Sequence, residues 1–294
     1  MIGTSSWADP GFVEEWYPKG LAARDRLAWY AGRFDAVEVN ATFYAVPAVA
    51  TVRRWAEVTP EGFTFDVKLH RLLSRHAAGP DTLPPSLRDD AEVNPRGRVV
   101  LTPELEAALA REQSAAVEPL RRAGKLSTFL LQLSPSFKPR DHRLDELAPL
   151  LELLAPDRVA IELRHIGWVD PERREDTLTW FERHGAVFVC VDTPQGRRAP
   201  TLMPSLDAVT RDDVAYLRAH GRNLEGYLRG RSVAERFAYR YDDDELRELG
   251  DRAKALGEEA AEVRMMFNNN RGADAPMAAG RLRELLGQDR AAAR

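Results

Sequence analysis

Short apolar runs with period-two alternation recur along the chain, and Val159-Ala160-Ile161-Glu162-Leu163-Arg164 shows the pattern most plainly. Side chains alternate faces along a strand, so Val159, Ile161 and Leu163 share one large apolar face. Ala160, Glu162 and Arg164 share the other, which begins small and ends in two opposite charges. Ala36-Val37-Glu38-Val39-Asn40, Thr64-Phe65-Asp66-Val67-Lys68 and Phe188-Val189-Cys190-Val191-Asp192 repeat the pattern, and Phe129-Leu130-Leu131-Gln132-Leu133 sets Gln132 alone among apolar neighbours. With residues 2–7, 213–220 and 263–268 these make eight strands.

Helical spacing fills the intervals. Leu27, Tyr30, Ala31 and Phe34 fall at i, i+3, i+4, i+7, as expected of an amphipathic helix. Thr102-Pro103-Glu104 reads as a helix start, Thr102 as N-cap and Pro103 in the first position, with the helix running to about residue 123 before Gly124. Two stretches break the rhythm. Residues 69–97 form a long polar excursion after strand three, expected to act as a lid or rim. Residues 193–212 show no clear helix after strand six.

Strands alternating with helices predict a parallel sheet. Two-faced alternation favours a closed sheet over an open one, whose strands read as continuous apolar runs. The expectation is an α/β fold, a TIM-like (β/α)8 barrel over residues 1–294 as a single domain. Val39, Ile161 and Val191 are expected to face the helices. The polar set Glu38, Asn40, Asp66, Lys68, Gln132, Glu162, Arg164, Asp192, Arg218, His220 and Asn268 is expected inside, near the C-terminal strand ends where such barrels place their sites.

The 294 residues suit one barrel with loops, and the net charge of −4 gives no global attraction to nucleic acid. Cys190 is the only cysteine, so no intramolecular disulfide forms and a reducing, cytoplasmic setting is expected. There is no basic and apolar leader pattern at Met1, and no apolar run long enough to span a bilayer, so no membrane association is expected.

Several segments together carry a family resemblance: Gly3-Thr4-Ser5-Ser6-Trp7, Val37-Glu38-Val39-Asn40-Ala41-Thr42-Phe43-Tyr44, Lys68 with His76, Gln132-Leu133, Glu162-Leu163-Arg164, Tyr216-Leu217-Arg218-Ala219-His220-Gly221 and Phe267-Asn268-Asn269. In this order, over nearly the whole chain, they resemble the YecE-like family, domain of unknown function 72. The resemblance implies a TIM-like barrel and supplies no reaction, since fold analogy does not carry chemistry. Arg75 stands where the family usually has Thr, and Asn270 where an acidic residue or histidine often follows the Asn pair.

Glu38, Asp66, Glu162 and Asp192 oppose Lys68, Arg164, Arg218 and His220. One reading is an internal ion-pair network that holds the barrel together. Burying so many charges is poorly explained by stability alone, which favours a functional pocket. There Lys68, Arg164 and Arg218 are expected to bind a phosphate or carboxylate. Glu162 and Glu38, with Asp192, are the candidate acid–base groups, Glu162 through a pKa raised by desolvation. Asn40, His220, Asn268, Asn269, Gln132, His76, Tyr44 and Trp7 complete the candidate ligand contacts, although Trp7 and Tyr44 could equally pack the loops. Glu38, Glu162, Asp192 and His220 would suit a divalent metal, but the interleaved cations disfavour one and no ligand-spacing motif is present.

These residues point to an enzyme of hydrolase or isomerase type acting on a phosphorylated or carboxylated polar metabolite. A nucleic-acid-binding or nuclease-like protein, using Arg71, Arg75, Arg88, Arg96, Arg98, Arg197 and Arg198, is the first alternative. A non-catalytic ligand-binding protein is the second.

Overall fold

Strands β1 (Ile2–Thr4), β2 (Ala36–Val39), β3 (Thr64–Lys68), β4 (Leu126–Gln132), β5 (Arg158–Glu162), β6 (Val187–Asp192), β7 (Ala215–Ala219) and β8 (Val263–Phe267) lie side by side in sequence order in the computed structural model, and β1 pairs with β8 to close the barrel. All the pairings are parallel. The structure describes residues 1–195, 199–230, 232–269 and 271–288. The strands are shorter than the alternation predicts at several ends. β1 stops at Thr4, and β5 stops at Glu162, which leaves Arg164 in the loop beyond it.

The expected faces hold for most strands. Val37, Val39, Phe65, Val67, Phe129, Ile161 and Phe267 are buried in the layer between barrel and helices. At Gly3 an added Cβ would lie 2.1 Å from the Ala36 carbonyl oxygen, so only glycine lets β1 approach β2 this closely.

β6 is the exception. Val191 pairs in register with Arg218 and Val189 with Tyr216, so the two valines share the inner face with those residues. Phe188, Cys190 and Asp192 therefore face outward, the reverse of the expectation. An apolar run of Phe, Val, Cys and Val gives period-two reasoning no phase, and Asp192 alone was a poor guide to it.

The helix expected from Thr102 begins as read, with the Thr102 hydroxyl accepting from the Leu105 N–H and Pro103 in the first turn. It runs Pro103–Ala116 and resumes as Glu118–Arg122, because Pro119 has no N–H to continue the ladder. Gly124, at φ 65°, ends it. Residues 193–195 and 199–212 carry no helix or strand, as expected.

The excursion after β3 is not a loose lid. Leu69, Leu72, Leu73, Ala78 and Leu83 are buried, and His70 is fixed by accepting from the Leu72 N–H and contacting the Thr82 carbonyl. The mouth is instead overhung by residues 221–230 and 232–242, which include the helices Leu224–Arg229 and Val233–Arg236. No helix among the described residues is long and apolar enough to cross a membrane.

Ile161 is fully buried against the helix layer, whereas Met277 is 60% exposed. Ile161→Ala is expected to lower unfolding free energy by about 2–5 kcal/mol, and Met277→Ala by less than about 0.5 kcal/mol. Urea titration followed by circular dichroism measures both; equal effects would contradict the assigned outward face.

Candidate functional site

The inner faces of the strands stack polar groups in layers along the barrel axis. The lowest is Arg264 on β8, whose Nε and Nη2 donate to the two Asp66 carboxylate oxygens at 2.8 Å each. Its remaining donors reach Thr64 and Glu262. Arg264 was missed in the sequence, although its alternation with Met266 and Asn268 on one strand face marks it.

Arg218 on β7 organises the middle layer. Its Nε and Nη2 donate to Glu38 on β2 at 2.9 and 2.6 Å, and its Nη1 donates to Glu162 on β5. The Tyr216 hydroxyl donates to Glu38 at 3.1 Å. All four side chains are buried. Both Glu38 oxygens are thereby occupied from below the mouth.

Glu162 joins this layer to the mouth. Its Oε1 accepts from Gln132 at 2.8 Å and from Arg164 at 3.3 Å, and lies 3.2 Å from His220 Nε2. That last contact is an electrostatic one at an angle poor for a hydrogen bond. Desolvation pushes the Glu162 carboxyl up, but Arg218, His220 and Arg164 together outweigh it and hold the group well below the usual range. This corrects the expected raised value: Glu162 is a fixed carboxylate and not a proton carrier near neutral pH.

His220 is oriented by Asn268, whose amide nitrogen lies 2.9 Å from His220 Nδ1. Asn268 Oδ1 in turn accepts from Ser5. Burial lowers the His220 pKa, against the opposing pull of the Glu162 carboxylate.

Lys68 ends β3 at the mouth and is 8% exposed. Its Nζ donates to Gln132 Oε1 at 2.7 Å and sits 4.5 Å from the Phe43 ring centroid. Burial, reinforced by Arg218, lowers its pKa to about 7, against the opposing pull of Glu38 and Glu162. His76 meets the other side of this group, edge-on to Phe43 at 5.1 Å. Burial and the Lys68 charge push His76 down to about 4. The Arg71 guanidinium lies 5.7 Å from the same ring. On two of these side chains the buried atoms Arg71 Nε and His76 Nε2 meet no protein hydrogen-bond partner, and neither does Asn40 Oδ1, one residue beyond β2.

Arg164 is fixed from above by the Tyr227 hydroxyl at 2.7 Å, and Phe237 packs on His220 at 5.5 Å. Neither aromatic was legible as a site residue, since each reaches the mouth from a segment without strand or motif signal.

Other expected contacts lie elsewhere. Asp192 faces outward and is held by Arg222, Arg252 and the Tyr241 hydroxyl, away from Glu162. It is therefore withdrawn from the catalytic set. Trp7 packs edge-on against Trp55, which stacks on outward-facing Phe65, and so belongs to the aromatic packing outside the barrel. Tyr44 is 59% exposed beside Phe43 on the rim. Asn269 donates to the Tyr239 carbonyl and its Oδ1 is buried without a partner. Cys190 is buried on the outer face, where burial pushes the thiol up to about 12, as suits an inert core residue. Asn270, Arg197 and Arg198 lie outside the described residues.

The oxygen-rich set considered for a divalent metal does not assemble. Asp192 is turned away, and Arg218 occupies Glu38 and Glu162. Among the described residues no three of His, Cys, Asp and Glu converge as metal ligands.

The whole chain, residues 1–294, matches the family model described as "Protein of unknown function DUF72". The UPF0759 protein YunF of Bacillus subtilis is 28% identical over 289 residues, 97% of this chain and 94% of that protein. The UPF0759 protein YecE of Escherichia coli is 29% identical over 180 residues, 60% of this chain and 53% of that protein. Among solved structures, a DUF72 family protein from Thermotoga maritima superposes with a TM-score of 0.76 at 26% identity, over 97% of this chain and 98% of that one. One from Enterococcus faecalis gives 0.79 at 25% identity, over 98% and 95%. The resemblance carried by the sequence motifs holds.

Two measurements follow from this geometry. Removing Arg218 leaves two buried carboxylates unpaired, so Arg218→Met is expected to cost about 3–5 kcal/mol of stability, read by urea titration at pH 7. Lys68 titrates at about 7 when folded and at about 10.4 unfolded. Between these values the unfolded chain holds more protons, so this group makes stability rise with pH across that window. Lys68→Met should remove that rise, measured as unfolding midpoint against pH; an unchanged slope would contradict the assignment.

Proposed function

The chain belongs to the DUF72 family, and from that footing we propose that it is an enzyme of isomerase type acting on a small phosphorylated or carboxylated metabolite at the barrel mouth. The observation that carries the reading is the convergence around Phe43. Lys68 and Arg71 bring positive charge there, with Arg164 across the mouth, beside the unpartnered Asn40 Oδ1, Arg71 Nε and His76 Nε2. Leaving a buried polar group unmatched costs about 1–3 kcal/mol, so these atoms are arranged for a ligand that supplies the partners. An anion with hydroxyl groups supplies them: its charge pairs with the cations and its hydroxyls meet Asn40 and His76.

The carboxylates favour isomerisation over hydrolysis. A hydrolase needs a carboxyl group that gains or loses a proton, or one free to activate water. Glu162 is held ionised, and both Glu38 oxygens are engaged. The groups left to move protons are the buried Lys68 and the half-buried His76, each with its pKa lowered by burial. An amine and a neutral imidazole facing one bound molecule suit proton transfer at carbon next to a carbonyl.

The nucleic-acid alternative has less support. Arg75 is tied to Glu106 at 2.5 Å, and Arg88 to the Leu83 carbonyl. That removes two of the rim arginines from any phosphate track.

Phosphorylated aldoses and ketoses, screened by calorimetry, should bind the wild type. Arg164→Ala should weaken binding by about tenfold or more, since one charge-assisted hydrogen bond contributes about 1.5–3 kcal/mol. Turnover is read as incorporation of solvent deuterium at the carbon beside the carbonyl. Unchanged affinity in Arg164→Ala would overturn the anion site, and tight binding without exchange or product would make the protein a ligand-binding module.

A further inference from the structure

The chain has 42 basic residues, and five of them are lysines, at positions 19, 68, 125, 138 and 254. Every buried ion pair along the barrel axis uses arginine: Arg264 with Asp66, and Arg218 with Glu38 and Glu162. Arginine suits that task because it stays charged and holds a fixed fork. Two lysines are buried, and they differ. Lys125 gives its protons to three oxygens, the Ala56 and Thr59 carbonyls at 2.6 Å each and the Thr59 hydroxyl at 3.0 Å. That is a saturated structural ammonium. Lys68 has one oxygen partner among the described residues, the neutral Gln132 amide.

Gln132 is the informative element. It stands between Lys68 and Glu162, accepting from the lysine with Oε1 and donating to the carboxylate with Nε2. The amide points the amine while keeping the carboxylate off it. The other charged groups that act on Lys68 are Arg218, Arg164 and Glu38, and Lys68 acts in turn on His76, beside Arg71. Two arginines and two carboxylates act on Lys68 and oppose each other, so burial decides, and a proton on Lys68 is weakly held. A lysine so placed differs from its arginine neighbours in two ways: it gives up its proton, and it then carries a nucleophilic lone pair.

We propose that Lys68 is a carbonyl-capturing amine, whose Nζ condenses with the aldehyde or ketone carbon of a small anionic substrate to form an imine. The proposal rests on the anion-binding reading above and adds the substrate's reacting group. The nitrogen lone pair attacks the carbonyl carbon, the C=O π pair moves to oxygen, and one Nζ proton passes to that oxygen to give the carbinolamine hydroxyl. His76 Nε2, which has no protein partner while the Gln132 backbone holds the ring's other nitrogen, receives the second proton lost from Nζ. It returns that proton to the carbinolamine hydroxyl, which leaves as water. The balance is amine plus carbonyl to imine plus water, with no change of oxidation state. The imine then acidifies the neighbouring C–H, which is the bond an isomerase must break.

The test is reductive trapping on the full chain with two probes, D-glyceraldehyde 3-phosphate and D-glyceraldehyde, each with sodium borohydride, followed by peptide mass mapping. Hydride adds to an imine carbon and leaves a stable secondary amine. With the phosphorylated probe at pH 7, Lys68 should be labelled about tenfold or more over Lys19, Lys138 and Lys254. Labelling of Lys68 should rise as pH increases through about 7, a profile that a simple alkyl amine in water does not show. His76→Ala should slow labelling of Lys68 without moving that pH midpoint to the surface value. Lys68 labelling no greater than at the surface lysines, or with their pH profile, overturns the proposal; it needs no variant that might fail to fold. Calorimetry with inorganic phosphate keeps the two readings apart. Phosphate binding without a Lys68 adduct overturns the imine and leaves the anion site standing. Equal Lys68 labelling by both probes supports the imine and overturns the anion site.

Discussion

One guanidinium governs the interior. Arg218 lies on the barrel axis without solvent contact and holds Glu38 with two donors and Glu162 with a third. Without it two carboxylates would share a low-dielectric space, where each would have to take a proton. With it, Glu162 stays ionised and becomes an anchor for everything above: Gln132, Arg164 and the His220 ring each take position from that one carboxylate. Buried ion pairs are a weak source of stability compared with apolar packing. Their value here is positional. Charges at fixed points set which way the neutral and weakly basic groups at the mouth face.

The interior therefore has a gradient of saturation. At the bottom, Arg264 and Asp66 satisfy each other as a bidentate pair, with Thr64 and Glu262 taking the rest. In the middle, Arg218 is matched by two carboxylates. At the mouth the balance changes: Lys68 meets an amide, and Asn40, Arg71 and His76 each bury an atom with no protein partner. A network kept for stability alone would be matched throughout. This one is matched where it is sealed and unmatched at the mouth, at the strand ends where TIM barrels carry their chemistry.

The mouth also depends on the segment after β7. Tyr227 donates nothing to the barrel core, yet its hydroxyl fixes the Arg164 fork, while Phe237 covers His220. Further along the same segment, Tyr241 joins Arg222 and Arg252 in satisfying Asp192 on the outer face of β6. Residues 221–230 and 232–242 thus join a cap over the site with a charge cluster outside the barrel. The excursion after β3, although longer, is built into the core through Leu69, Leu72 and Leu73 and serves as a fixed wall.

By itself the sequence determined the barrel and most of its inner face. Period-two alternation is local, so a polar residue among outward apolar neighbours, such as Glu38, Lys68, Glu162 or Arg218, points inward wherever the sheet closes. The motifs likewise carried the family. Alternation could not set the phase of β6, where both faces are apolar until Asp192; the register against Arg218 and Tyr216 set it. Nor could it say whether Glu162 gains or loses protons, because that is the difference between two opposing effects. Desolvation alone would raise its pKa, and Arg164 from its own loop with Arg218 and His220 from β7 and its end reverse the sign. Arg218 is 56 residues from Glu162 and 180 from Glu38. Charge balance at a buried point sums contributions from elements far apart in the chain, and only closure of the barrel brings them within Coulomb range.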